Sequence, residues 1–430
     1  MVEQISPARA LHGVVSLPGD KSISHRYAML TSIAEGDSKI YNFSSGADCH
    51  STLSCMAQLG VPHEFTIEND RQVLTVHGKG LRGLQAPTKN LDAGNSGSTI
   101  RMLSGILAAQ DFSCEITGDD SLRRRPMRRV IDPLTDMGAQ ITATQAQCPP
   151  LKIQGANLRA IDYELPVSSA QVKSCILFAG LYADGETVVR ESIPTRDHTE
   201  IALRELGADI EALPRKICVR SGRPLSGKQL VVPGDLSSAA FFITAALIIP
   251  GSDLIITNVG LNPTRTALLD ILRSMGASIK LLHIEQIHGE IVGNLQVKTS
   301  EVQGGRIEGS MTAAVIDEIP ALAILGAKSK DGLVVRDAKE LRVKETDRIE
   351  TIASNLKRMG IQVQTYDDGL EIPGKQQFHA AEIDSCGDHR IAMAFSVAAL
   401  AADGTSSIRD SEAASVSFPE FFETLRNMIQ

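Results

Sequence analysis

The chain has 430 residues, a net charge of −8, 43% hydrophobic and 22% charged residues. That length supports two or three domains with cores of their own. The acidic balance, 4% aromatics and absence of Trp argue against a general nucleic-acid binder, which needs basic patches and stacking platforms. The seven Cys (49, 55, 114, 148, 175, 218 and 386) form no C-x-x-C pair and mostly lie in apolar runs, as buried free thiols do in a reducing cytosol. No signal or transit pattern opens the chain, and the apolar run from Phe241 to Pro250 is too short to span a bilayer. A cytoplasmic location without membrane contact is expected.

In chain order, a strand over Val14–Leu17 ends in the Pro18-Gly19 turn. Asp20, Lys21 and Ser22 then stand at the start of a helix running through Tyr27-Ala28-Met29-Leu30. A helix N-terminus offers unpaired N–H groups and partial positive charge, so Lys21, Ser22 and Arg26 there suit a small phosphorylated or carboxylated ligand. The alternative is an ordinary capped helix with a solvated first turn.

This pattern of small or acidic turn, Ala/Ser/Leu-rich helix, turn and strand recurs six times, from Gly19, Gly94, Pro166, Gly234, Asp317 and Gly387. A second helix closes most copies on Leu59-Gly60, Met137-Gly138, Leu206-Gly207, Met275-Gly276 and Met359-Gly360. Each Gly reads as a left-handed stop, and the alternation after it (Asp209-Ile210-Glu211-Ala212) as a strand. The copies predict six βαβαββ modules of an α/β (α+β) protein. Three modules form a lobe of residues 19–235. Three more form a lobe of residues 236–430, with residues 1–18 supplying strands that the sixth copy lacks after its Phe418–Ile429 helix. The chain then crosses twice, at two Pro-Gly pairs, and a cleft between lobes is the expected ligand site.

The remaining constellations follow in order. Gly94-Asn95-Ser96-Gly97-Ser98-Thr99-Ile100-Arg101 allows backbone N–H groups close approach to an anion, although an ordinary helix start has the same look. Five arginines between Arg123 and Arg129 need an acidic partner or solvent, and Pro126 should hold Arg125 extended as a clamp. Ser168-Ser169-Ala170-Gln171 can hydrogen-bond a hydroxylated ring, and Arg196-Asp197-His198 follows the next strand. Asp317-Glu318 opens an apolar helix, as a cap or as a general base. In Arg342–Ile349, Lys344 and Arg348 are four apart and predicted to share a helix face, with Glu345 and Asp347 as candidate ion-pair partners. Gly387-Asp388-His389-Arg390 adds another arginine at a helix start. No metal-ligand spacing is present, and no cofactor is expected.

These segments resemble, in order and over nearly the whole chain, the signatures of the 5-enolpyruvylshikimate-3-phosphate (EPSP) synthase family, the 3-phosphoshikimate 1-carboxyvinyltransferases. They are residues 17–26, 91–101, 124–127, 168–171, 342–348 and 387–390. The resemblance implies a two-lobed enolpyruvyl transferase fold with a double-crossover hinge. It also implies transfer of enolpyruvyl from phosphoenolpyruvate to the 5-hydroxyl of shikimate 3-phosphate in a monomeric enzyme. By motif, Lys21, Ser22, Arg26, Ser169, Gln171, Arg196, Asp317 and Lys344 would hold shikimate 3-phosphate. Lys21, Gly97, Arg125, Gln171, Arg348 and Arg390 would hold phosphoenolpyruvate, and Asp317, Glu345 and Lys21 would serve catalysis. Gly97 matches the glycine that leaves room for the inhibitor glyphosate in sensitive members.

Departures from one of the family's two sequence types are His25, where that type has Asn, and Val416, where it has a lysine that contacts phosphoenolpyruvate. The sister family acting on UDP-N-acetylglucosamine uses a Cys or Asp in a loop near 123–129, where this chain has no Cys. A non-catalytic anion-binding repeat protein would need neither Asp317 nor Glu345. An RNA-processing enzyme built from similar modules is disfavoured by charge and aromatic content.

Overall fold

In the computed structural model, which describes residues 1–69 and 71–429, strands assemble into six small sheets. Asp70 and Gln430, the latter the last residue of the expected 236–430 lobe, lie outside the described residues. The chain divides into two compact units. One comprises Met1–Pro18, Pro233–Gln286 and Ile291–Gln430; the other comprises Gly19–Val232 and Ile287–Glu290. The second division thus falls at Val232/Pro233 rather than at the expected 235/236, and a four-residue segment at Ile287 groups with the Gly19 unit.

In the Gly19–Val232 unit the three sheets share one plan. An edge strand runs parallel to a central strand, and two antiparallel strands follow: Asp162–Glu164 beside Glu186–Arg190, then Lys216–Arg220, then Asp209–Leu213. Leu91–Asp92 plays the edge role beside Ser113–Thr117. The sheet centred on Glu35–Tyr41 takes its parallel edge from Gln229–Val231, far along the chain. The other unit mirrors this: His12–Ser16 pairs in parallel with Asp253–Gly260.

This corrects one expectation. Of the two N-terminal strands only Val2–Ile5 completes the sixth module, antiparallel to Ser406–Arg409, whereas His12–Ser16 joins the fourth. The intervening chain is pinned on the way: Ala8 N–H donates to the Leu400 carbonyl (2.9 Å) and Leu11 N–H to Ser252 Oγ (2.9 Å). The last helix is also shorter than expected, Phe421–Met428, because Pro419 disfavours helical backbone at Phe418, whose ring packs on Phe242 and Phe421.

The helix starts follow the capping chemistry of the sequence. Asp20, Ser96, Ser169, Asp235 and Asp388 each accept a backbone N–H of the following first turn. The expected stops at Gly60, Gly138, Gly207, Gly276 and Gly360 all have positive φ, from 79° to 105°. The helices that are apolar all round, Leu236–Ile248, Ile319–Lys328 and His389–Leu400, are buried along almost their whole length and pack on one another as the core of their unit. A second core fills the Gly19–Val232 unit, where helix Gly97–Leu107 packs on Ala170–Gly180.

That last pair of helices touches backbone to backbone. A Cβ on Gly105 would lie 2.1 Å from the Cys175 carbonyl oxygen, and main chain on both sides cannot yield. Gly105→Ala is therefore expected to lower stability by about 1–3 kcal/mol, through forced separation of the two helices. Chemical denaturation measures it; an unchanged midpoint would contradict the close approach.

Candidate active site

In the Gly19–Val232 unit, helices Lys21–Ser32, Gly97–Leu107 and Ala170–Gly180 are joined near their starts by side-chain hydrogen bonds. The Arg26 guanidinium donates to the Ser22 carbonyl (2.8 Å), Thr199 Oγ1 (2.6 Å) and Ser174 Oγ (2.8 Å). It is 3% exposed, and burial lowers its pKa to about 10, with Glu200 and Asp20 acting the other way and Arg196 adding to the lowering.

Gln171 is held at both ends of its amide: Arg101 Nη1 donates to its Oε1 (2.9 Å) and its Nε2 donates to Ser98 Oγ (2.9 Å). Arg125 is extended, with φ −83° and ψ 128°, as the following proline demands. Its Nη2 donates to Asn95 Oδ1 (2.8 Å) and Ser121 Oγ (3.2 Å). Gly97 faces both arginines: a Cβ there would lie 2.7 Å from Arg101 Nη1 and 3.4 Å from Arg125 Nη1. Gly97, Arg125 and Gln171 therefore share one neighbourhood. Lys21 pairs with Asp48 (3.0 Å). Ser169 spends its hydroxyl oxygen on the Val172 N–H as a cap.

His25, the departure noted in the sequence, is buried within this set. Its Nδ1 lies 2.7 Å from Thr52 Oγ1, which lies 2.7 Å from Thr99 Oγ1, which donates to Ser96 Oγ (2.8 Å). Burial, then Lys21 and Arg26, push the His25 pKa well below its ordinary value, so the ring is neutral at pH 7. The series runs from the Lys21 turn to the Gly97 turn.

In the other unit the residues gather around Asp317. Its Oδ1 lies 3.7 Å from both Lys344 Nζ and Arg348 Nη1, and its carbonyl accepts Arg390 Nη1–H at 2.8 Å. Arg348 donates to Glu345 Oε2 (2.6 Å) and through Nε to Asp388 Oδ2 (2.8 Å). Arg348 is 1% exposed; burial opposes its charge, but Asp388, Glu345 and Asp317 more than offset this, and its pKa is raised. All five expected residues of this unit thus belong to one ionic cluster.

The expected helix face shared by Lys344 and Arg348 is corrected. Lys344 is extended, outside the helix Arg348–Arg358, because Asp347 is that helix's N-cap and accepts the Glu350 N–H (3.2 Å). The bent loop, not a helical surface, brings both cations to one carboxylate oxygen. Sequence reasoning gave no role to Asp48, Arg101, Ser98 or Asp388. Arg101 and Ser98 stood inside a quoted motif, four residues and one residue after Gly97, which was the available signal.

Among the described residues no group of three or more His, Cys, Asp or Glu side chains is arranged to hold a metal ion, and no helix is long and apolar enough to cross a membrane. The exposed Cys386 and half-buried Cys148 are free thiols like the five buried ones.

Six small sheets in two units, each with charged helix starts, define a fold also found in the enolpyruvyl transferase NikO from Streptomyces tendae, with a TM-score of 0.80 at 18% identity over 99% of this chain and 97% of that one. The profile of EPSP synthase (3-phosphoshikimate 1-carboxyvinyltransferase) matches residues 5–425. A 3-phosphoshikimate 1-carboxyvinyltransferase from Solibacter usitatus is 62% identical over the full length of both chains. The structure of EPSP synthase from Acinetobacter baumannii superposes with a TM-score of 0.88 at 43% identity, over 99% of this chain and 98% of that one. The chain belongs to the EPSP synthase family and is an enolpyruvyl transferase.

Proposed function

We propose that this protein joins phosphoenolpyruvate to the 5-hydroxyl of shikimate 3-phosphate, releasing phosphate, and that the residues described above bind and act on these substrates. Membership of the family supports the reaction. The observation that supports the residue assignment is the approach of Lys344 and Arg348 to the Asp317 carboxylate and of Arg390 to its carbonyl, with Glu345 paired to Arg348.

The chemistry sets the requirements. The 5-hydroxyl loses a proton as its oxygen attacks C2 of phosphoenolpyruvate, and C3 gains a proton, giving a tetrahedral ketal. Elimination removes a proton from C3 and breaks the C2–O bond to phosphate. Acid and base must stand within a few ångströms of each other and exchange roles. Asp317, Glu345 and Lys21 are the groups we assign to these transfers.

Two anionic substrates side by side repel by several kcal/mol when partly desolvated. Lys21, Ser22, Arg26, Ser169, Gln171, Arg196, Asp317 and Lys344 around shikimate 3-phosphate offset this. Lys21, Gly97, Arg125, Gln171, Arg348 and Arg390 do so around phosphoenolpyruvate. Arginine suits the carboxylate and phosphate through paired N–H donors. The enzyme acts as a monomer in the cytoplasm and needs no cofactor.

The test is phosphate release by purified, metal-free protein given phosphoenolpyruvate with either acceptor. Release with shikimate 3-phosphate and none with UDP-N-acetylglucosamine is expected; the reverse pattern would assign the sister reaction.

The match of Gly97 to the glycine of glyphosate-sensitive family members also predicts inhibition by glyphosate, competitive with phosphoenolpyruvate. Gly97→Ala would press a methyl group against Arg101 Nη1, 2.7 Å away, and crowd Arg125. The inhibition constant is expected to rise at least tenfold, with a smaller rise in KM for phosphoenolpyruvate. An unchanged inhibition constant would remove Gly97 from the pocket.

A further inference from the structure

Behind the candidate shikimate 3-phosphate residues lies a buried ionic cluster that none of the assigned roles uses. Lys173, in the second turn of helix Ala170–Gly180, is 1% exposed. Its Nζ lies 2.6 Å from Glu200 Oε1, 3.2 Å from Glu191 Oε2 and 3.4 Å from the Thr195 carbonyl oxygen. Glu191 in turn accepts the Thr195 N–H at 3.3 Å and the Thr195 hydroxyl. One ammonium and two carboxylates thus clasp the segment 191–197 that carries Arg196.

The same residue is linked along the chain to the other assigned residues of this unit. It stands four residues after Ser169 and two after Gln171, on the helix that Ser169 caps. Glu200 follows Thr199, which accepts Arg26 Nε–H at 2.6 Å and lies 2.6 Å from Ser174 Oγ. We propose that Lys173 is a positioning residue for the shikimate 3-phosphate site: through Glu191 and Thr195 it sets the loop of Arg196, and through Glu200 it sets the helix start that orients Arg26. This rests on the substrate assignment made above.

Stability alone gives a poor account of the cluster. A buried ion pair or triad of this kind is commonly replaceable by apolar side chains without loss of stability, because desolvating the charges offsets their attraction. Burial indeed raises the Glu200 pKa despite the adjacent ammonium. What apolar side chains would not supply is directional hydrogen bonding to the Thr195 main chain and hydroxyl.

The test uses the full-length protein and four variants: Lys173→Met, Thr195→Val, Thr195→Ser and Arg196→Ala. Calorimetry gives Kd for shikimate 3-phosphate, and steady-state phosphate release gives kcat and both KM values. Lys173→Met and Thr195→Val are expected to raise Kd and KM for shikimate 3-phosphate about five- to twentyfold. KM for phosphoenolpyruvate and kcat at saturation should stay within about twofold, and Thr195→Ser should restore the wild-type Kd. A merely structural role would move both KM values or neither. Thr195→Val carries the test if Lys173→Met does not fold. If Arg196→Ala raises Kd tenfold and Thr195→Val leaves it unchanged, the positioning role is overturned while the substrate assignment stands. If Arg196→Ala itself leaves Kd unchanged, the assignment of Arg196 fails, and the inference with it.

Discussion

Replacing Asp317 by Asn is expected to lower kcat by about 10²- to 10⁴-fold, the range a positioned acid or base contributes. The substitution keeps size and shape, so the main-chain bond from Arg390 to the residue 317 carbonyl is retained. It removes the carboxylate whose Oδ1 stands 3.7 Å from Lys344 and Arg348. Those are loose pairs, and their loss should cost no more than about 1 kcal/mol of stability. Glu345→Gln should behave similarly in kcat, because its carboxylate is the other one Arg348 holds at the cluster's margin. Phosphate-release rates at saturating substrates measure both. Full phosphate release in both Asp317→Asn and Glu345→Gln would remove these two carboxylates from the proton transfers.

The largest effect on stability should come from Asp388→Ala. Asp388 is buried, accepts from Arg348 Nε at 2.8 Å and Thr346 Oγ1 at 3.2 Å, and caps the helix His389–Leu400 through the Arg390 N–H at 2.9 Å. Its removal strips a fully buried guanidinium of its buried counter-charge and a helix of its cap. Breaking a buried pair on one side costs about 3–5 kcal/mol, and a lost cap about 1 kcal/mol more. The thermal midpoint should fall accordingly.

A pH dependence follows from the same pair. Burial opposes the Asp388 charge, yet Arg348, with His389, overrides it, so the folded-state pKa lies below 3.8. A carboxylate depressed on folding contributes stability above its unfolded pKa, and that contribution is lost as pH falls through the folded one. Wild type should therefore lose stability below about pH 4 more steeply than Asp388→Ala, as acid titration of the denaturation midpoint would show.

Local chemistry made much of this legible beforehand. The Asp20, Ser96, Ser169, Asp235 and Asp388 caps, and the glycine stops such as Gly207, depend on neighbours within one turn, so each motif announced its own structure. The extended Arg125 followed from Pro126 alone. Strand partnership was legible only in part, because His12–Ser16 and Gln229–Val231 pair with strands distant along the chain and carry nothing in their own residues that names the partner. The helical reading of Lys344 failed because a cap at Asp347 outweighed spacing. Lys173, Arg101 and Asp388 stood in recognised segments, but their roles depend on carboxylates, amides and guanidinium groups brought to them by folding.

The central proposal is that Arg125 and Arg390 each hold phosphoenolpyruvate. Its most direct measurement is KM for phosphoenolpyruvate, at saturating shikimate 3-phosphate, in Arg125→Ala and in Arg390→Ala. A hydrogen bond to a charged group contributes about 1.5–3 kcal/mol, so each variant should raise that KM by about tenfold to a hundredfold. A wild-type value in either one would remove that arginine from the phosphoenolpyruvate site and contradict the account.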